Sequence, residues 1–125
     1  MLQKLFWLAL AGALGTITRY GLAGMAQRAF GGEFPWGTLT VNLAGCFLAG
    51  AFWSLAESRL HISGQMRMIV LMGFMGAFTT FSAYALETGQ LLRDAQWAWA
   101  LGNMTLQNVC GILLFLFGLA IGRFV

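Results

Sequence analysis

Charged positions are sparse along this chain, and hydrophobic ones run together. Charge-free stretches extend from Phe34 to Ala56, from Met68 to Leu86 and from Ala95 to Gly122. Each is close to or longer than the ~20 apolar residues that carry a helix across the hydrocarbon core of a bilayer. A fourth stretch, Leu5 to Thr18, is shorter, but its helical pattern continues through Arg19 to about Met25. The pattern predicts an all-α membrane protein of four transmembrane helices, at about 3–26, 35–57, 67–91 and 95–123, in one integral membrane domain covering residues 1–125.

Composition strengthens this reading. Of 125 residues, 59% are hydrophobic and 9% charged, whereas a soluble domain carries about 25% charged and about 45–50% apolar residues. The connectors around Gln27 to Pro35 and Glu57 to Gln65 are only loops. The first span has the look of a secretory signal, with an apolar stretch after Lys4 that is followed by Ala9, Ala11 and Ala13. Cleavage there would leave three spans and discard Arg19, so a retained first helix is expected. Cys46 and Cys110 fall inside predicted spans, where a thiol serves as a small apolar packing group and a disulfide is not expected. Their spacing matches no metal motif, and the single His61 sits in a loop without a partner cluster.

Orientation follows the Lys and Arg of short loops, which collect on the cytoplasmic side. Four spans put Lys4, Arg59, Arg67 and Arg123 on one side, and Arg28 and Arg93 on the other, joined by Arg19 if it lies near that end of its span. So weak a bias permits insertion both ways up, and hence an antiparallel dimer. A single orientation with cytoplasmic termini also fits these counts.

The spans carry polar and small residues on defined faces. Gly12, Gly15 and Arg19 share one face of the first helix, and Thr38, Asn42, Gly45 and Ala49 share one of the second. Arg19 either faces protein, water or an anion, or snorkels to the interface. Asn42 either bonds a neighbouring helix or lines a polar route. Asn103 and Gln107 lie on one face of the fourth helix, with Asn108 about 100° round, which is too many amides for a purely lipid-facing helix. Gly118 and Gly122 form a GxxxG pattern suited to helix packing.

The third span is the odd one. Gly73 and Gly76 are followed by Thr79, Thr80 and Ser82, whose hydroxyls compete for backbone hydrogen bonds in mid-membrane. A break in this helix is expected, and irregular backbone at membrane depth is tolerated only where it is buried in protein or lines a cavity. An unbroken helix with hydroxyls bonded back to preceding carbonyls is the other possibility. Phe78, Phe81 and Tyr84 form a row in the same segment. Such a row commonly serves packing, but aromatic rings have positive edges that, beside Asn and Thr donors, can solvate a small anion without a fixed charge that would trap it.

Three of these segments, in order, resemble the Fluc/CrcB family of fluoride channels: Gly12-Ala-Leu-Gly15-Thr-Ile-Thr-Arg19-Tyr20, Gly37-Thr-Leu-Thr-Val-Asn42-Leu-Ala-Gly45, and Gly73-Phe-Met-Gly76-Ala-Phe-Thr79-Thr80-Phe81-Ser82. The resemblance spans nearly the whole chain. It implies an antiparallel dual-topology homodimer in the inner membrane of a prokaryote, with two fluoride pathways lined by both subunits. It implies that Asn42 is the pore asparagine, that Phe81 and Tyr84 contact fluoride, that Thr80 and Ser82 fall in or near the polar lining, and that Arg19 makes a vestibule electropositive. It further implies a structural sodium ion caged by the backbone carbonyls of Gly76 and Thr79. The implied partners are fluoride, the lipid bilayer and a second copy of the chain, with no nucleic acid.

Two departures stand out. Tyr84 replaces the usual second Phe, and Asn108-Val-Cys-Gly111 fits the family pattern only with a residue inserted after Asn103, so no fourth-helix role is carried over. A small multidrug-resistance-type proton-coupled cation exporter shares the size and dual topology. It needs a mid-membrane carboxylate, which the first span lacks, while Glu57 and Glu87 lie towards span ends. A non-transporting membrane assembly subunit is a further alternative. No nucleophile, base and orienting partner can be assembled, so an enzyme is not expected.

Overall fold

A computed structural model describes residues 1–58 and 62–124. Arg59 and His61, which the sequence reading puts in the middle loop, lie outside the described residues. Four long apolar helical segments dominate: Leu2–Phe30, Trp36–Ser58, Gly64–Arg93 and Trp97–Phe124. The first runs beyond its expected end because Arg28 Nε donates to the Gly24 carbonyl and Gly31 N to that of Gln27. It stops at Gly31 and Gly32, with φ of 65° and 76° that side-chain-bearing residues rarely adopt.

Glycine decides how the helices approach. The second and fourth segments form the most extensive contact. A Cβ on Gly50 would overlap the Phe115 carbonyl, and one on Gly118 would overlap that of Phe47. Gly122 faces the Ala51 carbonyl in the same way. The GxxxG pattern is therefore used within this chain, against the second helix, bringing backbones together as small residues do in lipid. The first helix packs on the early part of the third through Gly15 against Phe74 and Gly73 against Ala11.

At one end of the bundle Phe34 and Trp36 lie 4.6 Å apart by ring centroid, and Phe34 and Trp99 5.2 Å. These rings suit the polar-apolar boundary, where amphipathic aromatics gather. Gln27 ties the connector at this end, donating to the Gly32 and Phe34 carbonyls and accepting from Gly37 N.

The third segment is not uniform. Gly64–Met68 is α-helical, Ile69–Met75 widens to π-type turns, and Gly76–Phe78 returns to α geometry. Thr79 (φ −91°, ψ 161°) and Thr80 (φ −152°, ψ 114°) are extended, and Phe81–Arg93 is again α-helical. The fourth segment has a similar widening at Leu106–Cys110. π-Type turns recur at functional positions of helices.

Candidate functional site

The two extended threonines are held by local hydroxyl chemistry. Thr79 Oγ1 donates back to the Met75 carbonyl at 2.9 Å, beside the Thr79 N–H that donates to the same oxygen. Thr80 is the N-cap of the helix that follows, its Oγ1 accepting from Ala83 N at 3.2 Å. Neighbouring helices supply the rest. Asn42 Nδ2 donates to the Thr80 carbonyl at 3.0 Å, and Asn42 Oδ1 accepts the Thr80 N–H at 2.8 Å. The amide thus satisfies both backbone groups of an extended residue that, unpartnered in a bilayer, would each cost several kcal/mol. Asn42 Nδ2 also donates to Gln107 Oε1 at 3.0 Å.

Gly45, one helical turn beyond Asn42, lets the extended segment lie against the second helix. A Cβ there would overlap Thr79 Cγ2 and press on the Phe78 ring.

A cavity of about 210 Å³ opens beside this junction, lined by Asn42, Cys46, Thr79, Thr80, Phe81, Tyr84, Gln107 and Asn108. Gln107 is about 15 Å along its helix from Trp97 at 1.5 Å per residue, which is half of a ~30 Å hydrocarbon core. The Phe81 and Tyr84 rings stand 5.4 Å apart at 60°. Tyr84 Oη accepts from Asn108 Nδ2 at 3.2 Å, and that amide also donates to the Met104 carbonyl. The lining offers amides, hydroxyls and ring edges and includes no Lys or Arg.

Arg19 and Ser82 stand on the other side of Thr80. They line a groove of about 630 Å³ together with Thr16, Tyr20, Thr38 and Thr80. Thr80 borders both spaces, and its hydroxyl lies 3.4 Å from that of Ser82. Further along, Thr38 Oγ1 donates to Glu87 Oε1 at 2.7 Å. Of the expected pathway residues, Asn42, Thr80, Phe81 and Tyr84 meet at the cavity, whereas Ser82 joins Arg19 in the groove.

Gly76 and Thr79 line a third space of about 440 Å³ with Gly45, Cys46, Gln107 and Asn108. In a continuous helix Gly76 and Thr79 carbonyls would accept from the N–H groups of Thr80 and Ala83. Here those donors go to Asn42 Oδ1 and Thr80 Oγ1 instead.

Gln107, Asn108 and the Thr38–Glu87 pair make contacts that the sequence does not single out. The excess of amides in an apolar helix was the available signal, but periodicity places a side chain on a face without naming its partner.

Comparison with known proteins gives one family. The family described as CrcB-like protein, Camphor Resistance (CrcB), matches residues 6–119. A Nitrosococcus oceani protein named fluoride-specific ion channel FluC is 52% identical over 125 residues, covering 100% of both chains. Proteins of the same name from Desulforapulum autotrophicum and Solidesulfovibrio magneticus are 51% and 45% identical, again over 100% of both chains.

Proposed function

The chain belongs to the CrcB-like family, and from that membership we propose that it is a passive, fluoride-selective channel whose pathway runs through the cavity beside Asn42, Thr80, Phe81 and Tyr84. It is a multi-pass membrane protein of a prokaryote, and its work is conduction rather than catalysis. The observation that carries the pathway is the Asn42–Thr80 clamp, which holds extended backbone at mid-membrane against a lining without a fixed cation.

Conduction needs a site favourable enough to replace water around the ion yet weak enough to release it. Fluoride is small and strongly hydrated, so it needs close donors, which hydroxyls and the positive ring edges of Phe81 and Tyr84 supply. The third span acts as a discontinuous helix, and the start of Phe81–Arg93 adds the positive end of a helix dipole beside the cavity. Arg19 gathers anions in the groove that leads to Thr80 and Ser82.

The working unit is an antiparallel dual-topology homodimer with two pathways. Phe81 is 76% exposed in the single chain, so a route along its ring needs a wall from a second copy. A structural sodium ion fits the Gly76 and Thr79 carbonyls, because their helical donors are engaged elsewhere and hard cations take oxygen ligands. Bound there, it would supply a fixed positive charge that ties oxygens from two chains together.

The test is passive efflux from liposomes containing only this protein. Fluoride should leave without a proton gradient while chloride is retained. Comparable chloride efflux, or obligatory proton exchange, overturns the assignment.

A further inference from the structure

Asn103 is fully buried, at 0% exposed, in a helix otherwise suited to lipid. Its Nδ2 donates to Thr88 Oγ1 at 2.9 Å, and Thr88 Oγ1 donates to the Tyr84 carbonyl at 2.7 Å. On its other side Asn103 Oδ1 accepts from Gln107 Nε2 at 3.4 Å, and Gln107 Oε1 accepts from Asn42 Nδ2. Every donor along this row therefore points the same way, from Asn42 through Gln107, Asn103 and Thr88 to Tyr84. Asn42 in turn holds both backbone groups of Thr80. The row begins and ends on the backbone of one short segment, 80–84, although Asn42, Gln107 and Asn103 lie on the second and fourth helices.

An amide has a donor end and an acceptor end, so reversing any member sets donor against donor or acceptor against acceptor with its neighbour. In a low-dielectric interior such a mismatch is costly, and satisfied networks specify one arrangement. We propose that Gln107, Asn103 and Thr88 are positioning residues of the conducting site: their one-way hydrogen-bond row fixes which end of the Asn42 amide meets the Thr80 carbonyl and which meets its N–H, and so holds the segment that carries Thr80, Phe81 and Tyr84. The proposal rests on the channel reading for its functional half only.

Thr88 is the informative member, being 7% exposed and absent from the cavity lining. Thr88→Val keeps its shape and removes the hydroxyl, while Thr88→Ser keeps the hydroxyl. The chain has three asparagines, at 42, 103 and 108, so the side-chain nitrogen signal of Asn42 is identified in asparagine-labelled protein by its loss in Asn42→Ser. Thr88→Val should move the Asn42 signal and lower fluoride efflux per folded protein about five- to tenfold, the weight of one buried hydrogen bond. Thr88→Ser should restore both. An unmoved Asn42 signal in Thr88→Val overturns the row, and unchanged efflux beside a moved signal overturns its role in conduction. Absence of selective fluoride efflux from the unaltered protein sinks the channel reading instead, and the Asn42 signal still decides the row.

Discussion

Asn42 grips Thr80 by both of its backbone groups, donating to the carbonyl at 3.0 Å and accepting the N–H at 2.8 Å. A side chain from the second helix thereby does for the third what a neighbouring strand does in a sheet, and extended backbone becomes affordable in the membrane interior. Asn42→Leu removes this pairing, leaving both backbone groups of Thr80 without that partner, and it also takes the donor from Gln107 Oε1. With each buried unsatisfied group worth about 1–3 kcal/mol, the variant should lose roughly 2–6 kcal/mol of stability from the backbone groups. Unfolding in detergent measures the loss, and fluoride efflux from the surviving folded protein should fall more than tenfold.

Tyr84 tests the ring against its hydroxyl. Asn108 Nδ2 donates to the Met104 carbonyl as well as to Tyr84 Oη, so Tyr84→Phe leaves that amide with a partner and keeps the ring edge. Efflux should persist. Tyr84→Ile keeps an apolar side chain without the aromatic quadrupole, and efflux per assembled protein should drop sharply. Normal efflux in Tyr84→Ile removes Tyr84 from the pathway, whereas loss in Tyr84→Phe alone shifts the role to the hydroxyl.

Two glycines near the junction should respond differently. A Cβ on Gly45 would overlap Thr79 within one chain, but a Cβ on Gly76 meets nothing closer than the Leu71 carbonyl at 3.8 Å. Gly45→Ala should therefore cost about 1–3 kcal/mol through overpacking, read as a lower unfolding midpoint. Gly76→Ala should leave the fold of the chain intact. If the Gly76 carbonyl serves a sodium site shared with a second copy, Gly76→Val should abolish sodium-dependent assembly. A Gly76→Val protein that assembles and conducts normally would falsify that site.

The proposed insertion both ways up has a geometric consequence. Tags on either terminus should be reachable by impermeant reagents from both sides of the membrane. Labelling from one side only would replace the antiparallel dimer with a parallel assembly.

The four apolar segments were legible in the sequence because hydropathy and length act locally: a run of ~20 apolar residues crosses a bilayer whatever its neighbours do. The polar content of the second, third and fourth spans was equally visible, since an amide or hydroxyl in an apolar run has to be satisfied somewhere. Which partner satisfies it was not. Asn42 and Gln107 are 65 positions apart and meet only because glycines at 50, 118 and 122 draw the second and fourth helices together. Similarly, Gly118 and Gly122 announced close packing, but only the bundle decided that the partner is the second helix of the same chain. Hydrogen-bond direction is the last thing settled, because the polarity of Asn42, Gln107 and Asn103 is defined only once the row closes between the Thr80 N–H and the Tyr84 carbonyl, and tertiary packing alone brings these side chains to that segment.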